Sequence, residues 1–409
     1  MQTTPLLSII IATKNRVKYC INAIETILEL TNTNFELIVQ DNTDDLELSN
    51  YVNSNILDQR LVYRYTPPPF SSIDNFNAAL ELATGEYVCM IGDDDGINPE
   101  IFEATLWAKN NNVDSIVGGV NAQYLWSGTG VSDTLFTKNS GGSLTIASFT
   151  GKAFIPKMEE SLLDLMRNGC TNYFEFRLPK FYHGIVRREC MEIIKNRTGT
   201  YIKGLSPDIY SAISLACVVN KLVIIDYPLT IPGASVTSSS ITEGQIKKHS
   251  KKLEDAPHFR DRGSYTWSTE VPKIYCAQTI WADSGFAALR EMNRLDLLKH
   301  FNKFNLYANI IWSDHSNKKI IFSHLITERG GVNLNLFLDL MRIFFAILSG
   351  PFRKFLFVRS INRLEIIIGK RIIERKENIQ DINAAMGALV YHLKSFDIKI
   401  VDELSKTCC

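Results

Sequence analysis

A five-residue apolar, β-prone run, Tyr87 to Ile91, ends abruptly in Gly92 and three consecutive carboxylates, Asp93, Asp94 and Asp95. Such a run reads as a buried strand, and the acids that follow it belong at its C-terminal end. Like charges a few ångströms apart raise one another's pKa unless a cation sits among them. In open α/β sheets that end of the strands is where ligands bind. Hard oxygen donors suit Mg²⁺ or Mn²⁺, and those ions in turn suit a diphosphate. Taken alone, the stretch also reads as an ordinary acidic turn, because Asp and Gly are common turn residues.

The surrounding pattern favours a site. Residues 7–12 are almost continuously apolar, as a strand covered on both faces should be. They are broken by Thr13-Lys14-Asn15-Arg16 and followed by helical spacing over 19–30. A second strand, 35–39, ends in Gln40-Asp41-Asn42-Thr43-Asp44-Asp45, and a third, 61–65, stops at Pro67-Pro68-Pro69. A helix over 75–83 precedes Gly85, Pro99 opens a further helix, and 115–120 is a fifth strand. Strands alternating with helices predict a mostly parallel, Rossmann-like α/β sheet. Three successive strand ends then bring polar groups to one edge.

Beyond residue 120 the pattern thins. Residues 120–156, rich in Gly, Ser and Thr, predict hairpins and loops; helices are expected over 158–167 and 207–219, and strands over 181–187 and 222–225. Residues 233–264 are polar and hold the basic run Lys247-Lys248-His249-Ser250-Lys251-Lys252, which reads as a mobile loop or lid. The last third reads as helical, with one long amphipathic helix over 274–301. Residues 334–357 are strongly apolar but interrupted by Asp339, Arg342, Gly350-Pro351 and Arg353-Lys354. That stretch is a poor transmembrane span. A core helix is the plainer reading, and an interfacial or partner-binding helix the alternative.

A chain of 409 residues, 45% hydrophobic and 22% charged, has enough material for two or three domains. Its 44 basic and 44 acidic residues cancel, so no global field points to nucleic acid. Eight scattered cysteines without a Cys-x-x-Cys pair, and no signal peptide at the start, lead to the expectation of a reducing cytoplasm. The first strand's turn lacks the Gly-x-Gly-x-x-Gly of a dinucleotide-dependent dehydrogenase and the Gly-rich loop of a nucleotidyltransferase.

The blocks at 7–16, 35–42 and 75–95, above all Asn-x-Asn-x-Ala-Leu-x-x-Ala-x-Gly-Glu-Tyr-Val followed by Gly-Asp-Asp-Asp, resemble the inverting glycosyltransferases of family 2. The Gly before the triple Asp is similar to bacterial O-antigen and capsule sugar transferases. The resemblance implies a GT-A catalytic domain over 1–230, with a nucleotide-sugar half (about 1–120) and an acceptor half (about 121–230). A basic loop (231–264) and a largely α-helical C-terminal region (265–409) follow. It implies that Thr13, Asn15, Arg16, Asp41, Asn75, Asp93 and Asp94 bind a nucleoside diphosphate sugar, with a UDP-sugar first among donors. Gln40-Asp41 stands where many members have two acids, so the base itself stays open.

On the same resemblance, Asp93 meets the ribose, while Asp95, with Asp93, holds Mn²⁺ or Mg²⁺. A glycan or lipid-linked acceptor in surface polysaccharide assembly is implied, with Asp208 in Gly204-Leu205-Ser206-Pro207-Asp208 as general base. The same Ser-Pro-Asp is also an ordinary helix N-terminus. His183 and His249 could complete a metal shell, and Trp126, Trp267 and Tyr173 could stack on a sugar, although structural roles are the plainer reading of all five. The C-terminal helices are candidates for peripheral contact with the cytoplasmic face of the inner membrane, or for a homo-oligomer. A catalytically silent sugar-nucleotide-binding scaffold is the rival from another class.

Overall fold

The computed structural model describes residues 4–128, 141–236, 257–357, 360 and 373–407. Strand β1 (Leu7–Thr13) is followed by α1 (Val17–Leu28), β2 (Phe35–Asp41), α2 (Glu47–Asn55), β3 (Leu61–Tyr65), α3 (Ser72–Leu80) and β4 (Tyr87–Ile91). β1 lies between β2 and β4 and is parallel to both, and β3 extends the sheet beside β2. The register pairs Thr13 with Asp41 and Ile11 with Ile91, so the polar turns after β1, β2 and β4 emerge side by side. The apolar run of β1 is explained by two covered faces. Ile9 and Ile11 enter one core cluster and Ile10 the other, all fully buried. Each such side chain contributes about 1.5–3 kcal/mol.

The chain continues through β5 (Gly96–Ile97), α4 (Ile101–Asn110), β6 (Ser115–Gly118), β7 (Ala122–Leu125), β8 (Ser143–Ala147), β9 (Ala153–Phe154) and α5 (Met158–Arg167). Next come β10 (Gly184–Arg187), α6 (Arg188–Thr198), α7 (Pro207–Ala216), β11 (Leu222–Ile225), β12 (Thr230–Ile231) and β13 (Gly233–Ala234). The eight-stranded sheet runs β3-β2-β1-β4-β10-β6-β11-β9. It is mixed, because β10 inserts between β4 and β6 antiparallel to each. The segment just before β10 is tied to β4 at the ligand-facing end: Met90 donates its N–H to Phe181 and accepts from His183.

This is the GT-A-like α/β domain expected from the sequence, followed by a mainly helical region. In that region α8 (Ala277–Glu291) ends where Asn293 takes a φ of 58°, a conformation Asn tolerates well. The single helix expected over 274–301 is therefore two, the second being the short α9 (Leu295–Leu298). α10 (Lys303–Ser313), α11 (Lys318–Arg329) and α12 (Leu334–Ile347) follow. The helical course continues from α12 to Phe357 through a π turn at Leu348–Phe352.

The core-helix reading of 334–357 is corrected by its exposure. In α12 only Leu336, Asp339, Ile343 and Ala346 are buried, because neighbours cover one narrow stripe. By length and composition Leu334–Phe357 suffices to cross a membrane, the interruptions noted above notwithstanding. The final segment returns to the N-terminal half. β14 (Ile373–Lys376) pairs antiparallel with β8, α13 (Ile382–Leu393) packs on α1, and α14 (Ile400–Ser405) packs on α4. The basic run 247–252 and Cys408-Cys409 lie outside the described residues.

Candidate functional site

The three carboxylates after β4 are buried, and each is aimed differently. Asp93 accepts from Thr13 Oγ1 at 2.6 Å through Oδ2 and meets Arg16 Nη1 at 3.0 Å through Oδ1. Asp94 Oδ2 meets Arg16 Nη2 at 2.5 Å and accepts from the Ser235 hydroxyl at 2.7 Å. Asp95 turns back, taking the backbone N–H of Gly92 at 2.5 Å and of Gly233 at 2.6 Å. The turn depends on glycine: a Cβ on Gly233 would lie 1.8 Å from the Asp94 carbonyl oxygen. Trp126 Nε1 donates to that same carbonyl at 2.9 Å, so Trp126 positions the acidic turn.

The cation that an acidic cluster requires is supplied in part by the protein. Burial raises the Asp93 carboxyl to about 7, with Arg16 opposing and Asp94 and Asp95 adding to the shift. Asp94 is likewise raised, by burial first and then by Asp95. Asp95 is lowered: burial is outweighed by His183 and by the two backbone donors.

His183 Nε2 lies 3.2 Å from Asp95 Oδ2, and its Nδ1 lies 3.0 Å from Thr230 Oγ1. Neighbouring ligands of an octahedral ion with bonds of about 2.1 Å stand roughly 3 Å apart. As it stands the contact is a hydrogen-bonded ion pair; Asp95 and His183 are nonetheless the two side chains here that could hold a small divalent cation, with Thr230 fixing the ring from behind. Among the described residues no group of three or more His, Cys, Asp or Glu side chains is arranged for an ion. The rest of such a shell would come from water and phosphate, which is how Mg²⁺ is usually held.

Beside Asp93 opens a cavity of about 290 Å³, lined among others by Thr13, Lys14, Arg16, Asn42, Asn75 and Tyr182. Asn75 donates to the Thr13 carbonyl at 3.0 Å, while its Oδ1 is buried with no hydrogen-bond partner among the described residues. Asn42 Oδ1 is in the same condition. Both oxygens are shielded from solvent, so they lie within the cavity wall and do not face a ligand. Arg260 and Asp261 close one side, and Asp261 meets Lys14 Nζ at 3.1 Å. Asn42, Lys14 and Arg260 were not singled out in the sequence. The signal for the first two was their place in the strand-end turns, and for Arg260 the basic character of 233–264.

The other expected residues take distinct positions. Asp41 sits at the same edge but is fully buried, its carboxylate accepting from Thr43 and from Tyr63. Asn15, with a φ of 58°, is tied to Asp44 outside the cavity wall. Asp208 lies in the first turn of α7, beyond Tyr182. Burial raises its carboxyl, opposed by a hydrogen bond from Tyr173 and by the charges of His183 and Lys180. Tyr182 belongs to both groups: it lines the cavity, its hydroxyl is 3.4 Å from Asp95 Oδ2, and burial with Asp95 and then Asp208 raises its phenol. Tyr173 packs edge-on against Trp281, and the buried Trp267 donates to the Val271 carbonyl.

Residues 8–150 match the family model described as Glycosyl transferase family 2. A putative colanic acid biosynthesis glycosyl transferase, WcaA, of Escherichia coli K12 is 35% identical over 115 residues, 28% of this chain and 41% of that protein. An uncharacterized glycosyltransferase of Haemophilus influenzae is 29% identical over 119 residues, 28% of this chain and 37% of its own length. The chain thus spans less than half the length of either relative. Among solved structures, S. aureus TarS 1-349 in complex with UDP-GlcNAc aligns at 14% identity and a TM-score of 0.40, over 80% of this chain and 92% of that one. The same fragment in complex with UDP aligns at 17% and 0.36, over 61% and 66%. The family match falls on β1 to β8, so the likeness to glycosyltransferase family 2 lies in the N-terminal part of this chain.

Proposed function

We propose that the protein is an inverting glycosyltransferase, moving a sugar from a nucleoside diphosphate sugar to a hydroxyl of a glycan or lipid-linked acceptor in surface polysaccharide assembly. The observation that carries this reading is the convergence, around Tyr182, of a polar cavity beside Asp93 and a carboxyl of raised pKa at Asp208. The nucleotide occupies the cavity, which Asn42 and Asn75 help to line and where Lys14 and Arg260 face its phosphates. Asp95 and His183 would hold Mn²⁺ or Mg²⁺, which supplies charge neutralisation for a diphosphate leaving group.

The Asp208 carboxylate takes the proton of the acceptor hydroxyl as that oxygen attacks the anomeric carbon. The new carbon–oxygen bond forms on the face opposite the breaking bond to the diphosphate, so the anomeric configuration inverts. A carboxyl of raised pKa is a better base than an ordinary one, and Tyr173 orients it. The test is release of nucleoside diphosphate from a panel of UDP-, GDP-, CDP- and dTDP-sugars by wild type, Asp95→Ala and Asp208→Asn. Release by wild type alone supports the reading, and equal release by all three contradicts it.

A further inference from the structure

The stretch from α11 to Phe357 carries an apolar surface that is left exposed among the described residues. Phe337, Phe344 and Phe345 on α12 are 58%, 52% and 59% exposed, and Phe357 at the end of the helical course is 63% exposed. The buried positions, Leu336, Asp339, Ile343 and Ala346, recur at three- and four-residue steps and form the seam against the protein. A helix apolar on all sides but covered on one needs a second apolar partner. Between α10, α11 and α12 an open apolar groove of about 320 Å³ is lined by Ile311, Ile321, Phe322, Leu340 and Ile343, with Lys318 and Lys319 at its edge.

Charge identifies the occupant. Residues 318–357 contain six basic side chains (Lys318, Lys319, Arg329, Arg342, Arg353 and Lys354) and two acids, Glu328 and Asp339, a net of +4. Asp339 is 1% exposed and held by Arg329 and Arg342, while Glu328 meets Lys303 at 2.5 Å. Lys354 pairs with Glu175. An isologous dimer would set this surface against its own copy, opposing like charges. A bilayer with anionic headgroups satisfies the aromatic face and the basic margin together. The helix is fastened along its length by the Leu336–Ile343 seam and the Asp339 ion pairs, which keeps it at the surface of its own domain. That attachment favours lying in the interface over crossing it.

We propose that the exposed face of Leu334–Phe357, with the Lys318–Lys319 margin, is a surface that docks flat on an anionic phospholipid bilayer. The proposal does not depend on the transferase reading. Its test is co-sedimentation of the full chain with vesicles of phosphatidylglycerol and phosphatidylcholine, against phosphatidylcholine alone. Light scattering gives the mass in solution, and a thermal melt verifies folding. Wild type should partition onto anionic vesicles, and Phe344→Glu/Phe345→Glu should reduce partition by on the order of tenfold or more at unchanged mass and melting temperature. Lys318→Gln/Lys319→Gln should weaken partition onto anionic vesicles by roughly tenfold, leaving the weak binding to neutral vesicles unchanged. A wild type that does not bind vesicles, or a phenylalanine variant that halves the solution mass, overturns it in favour of a contact between copies.

Discussion

His183 Nε2 stands 3.2 Å from Asp95 Oδ2, joining a residue that precedes β10 to the acidic turn that follows β4. The contact exists because β10 is inserted beside β4, so residues 88 positions apart in sequence share one end of the sheet. The two meet as an ion pair, and we propose that they share one divalent ion when nucleotide binds. His183→Ala and Asp95→Ala should each abolish the dependence of nucleoside diphosphate binding on Mn²⁺, read by isothermal titration. Mn²⁺-stimulated binding of wild-type strength in either variant contradicts the assignment.

Asp208→Asn keeps the shape of the α7 start and removes the proton acceptor. Turnover should fall by about 10²–10⁴-fold, the usual range for a general base, with the dissociation constant for nucleotide within about twofold of wild type. Near-normal turnover would assign the base to another residue.

The pH profile follows from the direction of the Asp208 shift. Burial raises this carboxyl, so it is protonated and idle at pH values where an exposed Asp is already ionised. Transfer should increase with pH through that raised value and level off above it. Tyr173 donates to the ionised form and holds the value down, so Tyr173→Phe should move the rising limb to higher pH. A limb that stays in place would show that Tyr173 does not act on the base.

Arg16 bridges Asp93 and Asp94, and its own side chain is only 16% exposed. Arg16→Ala leaves two buried carboxylates without their cation and should cost about 3 kcal/mol in chemical denaturation. Arg16→Lys should recover only part of that, because an ammonium cannot engage both acids as a planar fork does. A loss below about 0.5 kcal/mol for the alanine variant would mean the acids relax or protonate without penalty.

What could be read from the sequence was what depends on near neighbours. β1, β2 and β4 announce themselves by short, largely apolar runs, and Thr13, Arg16 and Asp93 to Asp95 follow as the residues those strands must release at their ends. Helix α5 (Met158–Arg167) was legible from its periodicity. The antiparallel placement of β10 was not, because its partners β4 and β6 lie far away in the chain. The return of β14 and α13 onto β8 and α1 is equally non-local. Asn42 and Arg260 escaped notice because their meaning comes from the cavity wall they share. The exposure of α12 escaped for a related reason: an apolar helix looks alike in sequence whether protein or another phase covers it.

We propose the cavity beside Asp93 as a metal-linked nucleoside diphosphate site. The most direct measurement is thermal stabilisation of the full chain by UDP, GDP, CDP and dTDP, each with and without Mn²⁺. At a hundredfold excess over the dissociation constant, a bound nucleotide stabilises by about 2.7 kcal/mol. One diphosphate should raise the melting temperature in the presence of Mn²⁺, and the shift should disappear in Asp95→Ala. No shift with any nucleotide, or a shift of equal size with and without the metal, would contradict it.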